Sequence, residues 1–201
     1  MERAVFLDKD GTLVENVPYN VDPSRVRLLP GVLDGMRRLQ DAGFRLVVVS
    51  NQPGIAFARF RRSALDRIEA RLDRLFAEAG VVVTAYAWCP HHPEGVHPWY
   101  ARPCECRKPL PGLLLDAARR HAIDLASSWM IGDILDDIEA GTRAGCRTVL
   151  VDRGGETLWQ RGPGRTPDAI VHRFDDAAAF VVRSHEHVQA RVRVHAASMA
   201  P

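Results

Sequence analysis

The sequence predicts an α/β fold, a Rossmann-like three-layer arrangement around a mostly parallel sheet. Three observations carry this. Short apolar runs of strand length alternate with stretches of helical period along most of the chain. Acidic and hydroxyl residues fall just after those runs, where a parallel sheet presents groups to a ligand at the carboxyl ends of its strands. The composition, 46% hydrophobic and 26% charged, is that of a chain able to bury a core under a charged surface.

Taken in order, residues 4–7 and 46–49 read as strands enclosing a helix over 32–42. Val32, Leu33, Met36 and Leu39 fall on one helical face, so the three segments form a βαβ unit. Residues 62–79 carry Leu65, Ile68, Leu72 and Leu75 in a stripe, which predicts a second helix, and 81–88 follow as a β-rich run. Segments 112–121, 129–131, 134–144, 148–151 and 175–182 continue the alternation and imply right-handed crossovers with helices on both faces. The Pro-, His- and Cys-rich run 89–111 breaks the pattern, and 154–167 is a weaker second break. At 201 residues a single domain is expected, placed at 1–182 with an ordered loop at 89–109, followed by a C-terminal tail at 183–201. The Arg and His residues of 183–195 read as the solvated face of a helical tail.

Lys and Arg total 27 against 25 Asp and Glu, and a formal charge of +2 gives no general attraction to nucleic acid or an acidic membrane. No stretch has the length of a membrane span, and the amino terminus lacks a signal-peptide pattern, so a cytoplasmic monomer is the expectation. In a reducing compartment a tight cysteine cluster reads as metal binding rather than as disulfides.

Asp8-Lys9-Asp10-Gly11-Thr12 follows the first strand. Side chains two apart in an extended strand point the same way, so Asp8 and Asp10 can reach one substrate. Ser50-Asn51-Gln52 follows the second strand and offers a hydroxyl and amides to phosphate oxygens. Arg107-Lys108-Pro109 comes next, then Gly132-Asp133 after a later strand, with Asp136 and Asp137 opening a helix. A carboxylate attacking a phosphate dianion faces a repulsion of about 4 kcal/mol per charge pair at about 4 Å and an effective dielectric near 20. A divalent cation and a lysine offset it, and oxygen ligands select Mg²⁺. Asp8 is therefore read as the nucleophile. Mg²⁺ is expected on Asp8, the Asp10 carbonyl and Asp133, with Ser50 and Lys108 on the transferring phosphoryl oxygens. Asp10 is read as general acid for the departing alkoxide and then as general base for the attacking water. Asn51, Gln52 and Arg107 are the expected substrate-binding residues, and Asp137 a hydrogen-bond partner for Lys108 or for a metal-bound water, or else a helix-start acid. Thr12 reads equally as a cap of the turn.

These motifs, in this order, resemble the haloacid dehalogenase superfamily across residues 5–152. The resemblance implies a phosphatase working on a small-molecule phosphate ester through an aspartyl phosphate. Superfamily cap domains are inserted after the first or second motif, and here those spans are too short for one.

Cys89-Pro90-His91-His92 and Cys104-Glu105-Cys106 supply three thiols and an imidazole within one loop, a closed structural Zn²⁺ set. The pattern is similar to the histidinol-phosphate and heptose-bisphosphate phosphatase branch of the superfamily. That similarity implies Cys89, His91, Cys104 and Cys106 as ligands, with His92 as the competing imidazole. It puts D-glycero-D-manno-heptose 1,7-bisphosphate first and histidinol phosphate second. A bisphosphate calls for a second cation, for which Arg107, Arg59, Arg61 and Arg62 are candidates. Histidinol phosphate calls for an acid such as Glu15 or Asp22. A zinc-stabilised binding module without catalysis and a phosphotransferase are the rivals from other classes. Pro53, Phe57 and Ile134 depart from the branch pattern at the rim of the expected site.

Overall fold

The computed structural model describes residues 1–156 and 159–198, with side chains of the last helix described through residue 187. Six parallel strands form the sheet: β1 (Ala4–Leu7), β2 (Arg45–Asn51), β3 (Ala85–Cys89), β4 (Trp129–Gly132), β5 (Arg147–Val151) and β6 (Ala169–Val171). Among the described residues five α-helices connect and flank them: α1 (Val32–Asp41), α2 (Ala64–Ala77), α3 (Gly112–His121), α4 (Leu135–Ala144) and α5 (Phe174–Ser198). The order across the sheet is β3-β2-β1-β4-β5-β6.

Alternation along each central strand builds the two cores. Val5 and Leu7 of β1, with Leu46 and Val48 of β2, point to the face covered by α1, α2 and α5. Ala4 and Phe6, with Val47 and Val49, point to the opposite face, under α3 and α4. Both faces are covered, and the central strands read as continuous apolar runs, as a parallel sheet requires.

The chain order reverses direction at β1, whose neighbours are β2 on one side and β4 on the other. Leu7 stands in register with Val48 and with Ile131. The residues that follow these three positions therefore emerge together at one edge, at the point where an open α/β sheet leaves a crevice. No inserted cap interrupts the connections around that edge among the described residues.

The structure departs from the expected elements in three places. β3 begins at Ala85 rather than at 81, because Val81 folds back as the helix stop of α2, its N–H donating to the Phe76 carbonyl. β6 is an additional edge strand of three residues on β5. The helix expected to end at 182 continues to Ser198, so no break marks the expected boundary between domain and tail. His185, in the first part of that tail, packs edge-on against Phe44. Residues 199–201 of the tail lie outside the described residues. Among the described residues no helix is long and apolar enough to cross a membrane.

Phe174 opens α5 and is buried in the core shared with α1, so it anchors the last helix. Phe174→Ala is expected to cost about 3–5 kcal/mol through lost burial and the cavity left behind. Equilibrium urea unfolding followed by circular dichroism measures it.

Candidate active site and thiol cluster

Asp8 is the first residue past β1, and its N–H donates to the Ile131 carbonyl, which ties it to β4. The chain then turns sharply, with Gly11 N–H donating to the Val14 carbonyl at 2.8 Å. Gly11 has φ +90°, and a Cβ there would lie 2.0 Å from a carboxylate oxygen of Asp133. Only glycine lets Asp133 come this close. Thr12 is buried beside it, its hydroxyl donating to Asp133 Oδ1 at 3.3 Å, so it serves the site rather than merely capping a turn.

Asp133 and Asp137 come from the β4–α4 junction. Gly132 leaves room for Asp137, whose Cβ would sit 2.2 Å from a Cβ at that position. Asp137 Oδ2 accepts from the Ile134 N–H at 3.3 Å at the start of α4, and Glu156 accepts from the Leu135 N–H at 2.8 Å. Two of the helix's unpaired N–H groups are thereby satisfied, and the carboxylates sit where the helix dipole favours them.

Lys108 enters from the loop before α3. Its ammonium lies 2.5 Å from Asp8 Oδ1 and 2.6 Å from Asp137 Oδ1, and donates to the Val49 carbonyl at 3.0 Å. Asp8, Asp133 and Asp137 each offer an oxygen within 4.8 Å of the others. Three carboxylates against one ammonium leave two negative charges in a buried site. Burial, and then repulsion from Asp137 and Asp10, push Asp8 up to about 7 although Lys108 opposes the shift. Burial, and then repulsion from Asp8 and Asp137, push Asp133 up to about 8. Burial works against the charge on Lys108, but attraction to Asp137 and Asp8 outweighs it and raises its pKa. A buried, all-oxygen set with excess negative charge fits a hard divalent cation.

The Asp10 carboxylate stands apart from this group. It accepts from Lys9 Nζ at 2.6 Å and from Gln52 Nε2 at 3.0 Å. Gln52 Nε2 also lies 3.1 Å from the buried Ser50 hydroxyl, so this amide bridges the two residues. Asn51 is turned toward Lys108, accepting from its backbone N–H and donating to its carbonyl. Asp8, Asp10, Ser50, Gln52, Lys108 and Asp133 share the lining of one open cavity of about 300 Å³, with Asn51 and Tyr19 also on its wall. Arg107 does not line it; Nη1 of this side chain is buried without a hydrogen-bond partner among the described residues. A larger cleft of about 490 Å³ lies at the opposite edge of the sheet, around Arg3, Trp129, Arg147 and His185, and holds none of these groups.

A chain of ring contacts runs outward from Tyr19 on the cavity wall. The Arg59 guanidinium sits 4.7 Å over the Tyr19 ring, Tyr19 meets Phe57 edge-on, and Phe57 lies 4.8 Å from the His92 ring. Three loops are joined by this contact chain.

Cys89 ends β3, and Cys104, Cys106 and His91 converge on it. Sulfur–sulfur distances are 3.1, 3.4 and 3.6 Å, and His91 Nδ1 lies 3.3 Å from Cys106 and 3.9 Å from Cys89. Tetrahedral zinc with bonds of about 2.3 Å to sulfur and 2.0 Å to nitrogen has edges of roughly 3.5–3.8 Å; the spacings here scatter about that range, most of them shorter, and the donor set of three sulfurs and one imidazole is the chemistry that suits the ion. His92 is turned away, its Nδ1 accepting from the Glu94 N–H.

The HAD-hydrolase-like family matches residues 105–177. The D-glycero-β-D-manno-heptose-1,7-bisphosphate 7-phosphatase of Yersinia pestis is 38% identical over 159 residues, covering 79% of this chain and 85% of its own. The protein of that name from Escherichia coli (strain K12) is 36% identical over 181 residues, covering 90% of this chain and 88% of its own. Among solved structures, a HAD-like phosphatase from Mesorhizobium loti has a TM-score of 0.79 at 36% identity, over 92% of this chain and 87% of that one. The D,D-heptose 1,7-bisphosphate phosphatase from B. bronchiseptica, complexed with magnesium and phosphate, has a TM-score of 0.74 at 32% identity, over 90% and 99%.

The carboxylate cluster makes stability depend on pH. A carboxyl held above its unfolded value keeps a proton that the unfolded chain has released. The metal-free protein therefore loses stability as pH rises from the unfolded value of 3.8 through about 7 and 8. A cation that binds ionised carboxylates opposes this loss. MgCl₂ is expected to raise Tm more at about pH 8 than at about pH 5. Scanning calorimetry tests this, and equal shifts at the two pH values would place the cation elsewhere.

Proposed function

The chain belongs to the D-glycero-β-D-manno-heptose-1,7-bisphosphate 7-phosphatase family of HAD-like hydrolases, and from that premise we propose that it removes the C7 phosphate of this heptose bisphosphate, with Asp8 as nucleophile. The observation that carries the reading is the buried Asp8–Lys108–Asp137 array facing an open cavity beside Asp10 and Ser50.

A carboxylate oxygen of Asp8 attacks phosphorus, and the bond to the sugar oxygen breaks. Asp10, on the cavity wall, gives its proton to that departing oxygen. Lys108 and the Ser50 hydroxyl hold the transferring oxygens as the charge redistributes. Asp10 then takes a proton from water, whose oxygen attacks phosphorus, and inorganic phosphate leaves as the Asp8 carboxylate is restored. Gln52 keeps Asp10 and Ser50 in register through one amide group. Asp8, Asp133 and the Asp10 carbonyl would hold Mg²⁺, which supplies positive charge against the excess of carboxylate. Cys89, His91, Cys104 and Cys106 would hold Zn²⁺ as a closed structural site, two residues before Lys108.

Among the described residues the second phosphate of the substrate finds no unpaired cation on the cavity wall, where Lys108 meets two carboxylates. Arg59 does not line the cavity itself but sits over the ring of Tyr19, which does, and it is the cation we assign to that phosphate. Histidinol phosphate is served less well: neither Glu15 nor Asp22 lines the cavity, and Asp22 is occupied by Ser24.

Phosphate release from both anomers of heptose 1,7-bisphosphate, histidinol phosphate and sugar monophosphates is expected to favour the β-bisphosphate. Asp8→Asn should lower kcat by at least about 10³-fold, as loss of a nucleophile does elsewhere. Turnover surviving in that variant would remove Asp8 from the chemistry. Cys106→Ser is expected to abolish the bound zinc and reduce kcat by roughly 10²-fold, the cost of misplacing a catalytic group by about 1 Å. Metal analysis beside steady-state kinetics checks both effects.

A further inference from the structure

We infer that Asn51 is a positioning residue for Lys108, and that it acts on the reaction through the lysine rather than through the substrate. The inference rests on the proposed role of Lys108 in phosphoryl transfer.

Lys108 lies between β3 and α3 in a segment without helix or strand, yet it is only 2% exposed. Its backbone N–H and C=O are shielded from water and need partners, which a sheet or helix would ordinarily supply. Here one side chain supplies both. Asn51 Oδ1 accepts from the Lys108 N–H at 3.0 Å, and Asn51 Nδ2 donates to the Lys108 carbonyl at 3.0 Å. The planar amide thus stands in for a neighbouring strand.

Asn51 is the last residue of β2, so the clamp is mounted on the sheet. Val49, two residues earlier, accepts from the Lys108 ammonium, and Ser50 between them faces the cavity. Three consecutive positions of one strand therefore hold the ammonium, present the hydroxyl and grip the lysine's backbone. The two groups assigned to the phosphoryl oxygens keep a common frame.

An aspartate would offer the acceptor but no donor, and an alanine neither. Asn51 also lines the cavity and retains one N–H and one lone pair, so direct contact with substrate is the competing role.

The test is a double-mutant cycle on the metal-replete full chain: wild type, Asn51→Ala, Lys108→Met and the double variant. Phosphate release from the heptose bisphosphate is followed in steady state for the first two and under single-turnover conditions, with enzyme in excess, for all four. Asn51→Ala is expected to lower kcat about 10–100-fold while KM changes by less than about threefold. In the Lys108→Met background it should change the rate by less than about twofold, because the group it positions is gone. Asn51→Asp, which keeps the acceptor and the shape, should lower kcat in the same sense, and supplies the comparison if the alanine variant does not fold.

A rise in KM with kcat intact would make Asn51 a substrate ligand. The same fold-loss in both backgrounds would show that it acts independently of Lys108. Unchanged kinetics in both Asn51 variants would show that the clamp is dispensable. Each of these overturns the inference alone. Unchanged turnover in Lys108→Met would overturn the proposed chemistry and the inference with it.

Discussion

Lys108 carries the one ammonium that the buried carboxylates Asp8 and Asp137 share, while Asp133 stands within reach of both acids. Removing charges from water costs several kcal/mol per ion, and one ammonium cannot compensate three carboxylates. The excess negative charge has two outlets, protonation of the acids or capture of a cation. The upward push of burial and mutual repulsion on Asp8 and Asp133 belongs to the first. Binding of a hard cation is the second, and it restores the ionised carboxylate that a nucleophile requires. An affinity for a hard cation thus follows from how tightly the acids are packed.

That packing is made possible by the place where the sheet changes direction. β1 and β4 are neighbours although more than a hundred residues separate them, and their carboxyl ends bring Asp8 beside Asp133. Gly11 and Gly132 remove the side chains that would hold the two segments apart. The lysine is the difficult member, because it arrives from a loop with no regular backbone of its own. It is held from two sides. The thiol cluster fixes Cys106 two residues before it, and the Asn51 amide meets its backbone from β2.

Much of this was legible in the residues alone, for a physical reason. Asp8, Ser50 and Asp133 follow apolar runs, and a strand end in a parallel sheet locates its next residues whatever the rest of the fold does. The boundaries of α3 agree with its helical period over 112–121, because its apolar face is continuous. The three thiols and the imidazole are concentrated enough to identify themselves. β6 was not legible: three residues at an edge, with Ile170 56% exposed, carry no pattern that distinguishes strand from loop. The side-chain amides were legible only as donors. Asn51 and Gln52 were expected to face substrate; both line the cavity, and they also pair with residues 57 and 42 positions away in sequence, which no local pattern encodes. Asp137 read as a partner for Lys108 or a metal-bound water, or else as a helix-start acid; one oxygen accepts from the Ile134 N–H at the helix start and the other meets the ammonium.

The open cavity has a chemical consequence for the family's reaction. An aspartyl phosphate protected from water can transfer its phosphoryl group to another acceptor, whereas one open to solvent is hydrolysed. No cap covers this edge among the described residues, so water has access. Selectivity then has to come from the loops. Phe57, which departs from the branch pattern, lies between Tyr19 and His92 and links the loop after β2 to the loop after β1 and to the loop that carries the thiols. Because His92 adjoins His91, this contact chain runs from Tyr19 on the cavity wall to the thiol cluster, and the cluster adjoins Lys108. One loop therefore adjoins both the lysine and the contact chain that starts at Tyr19.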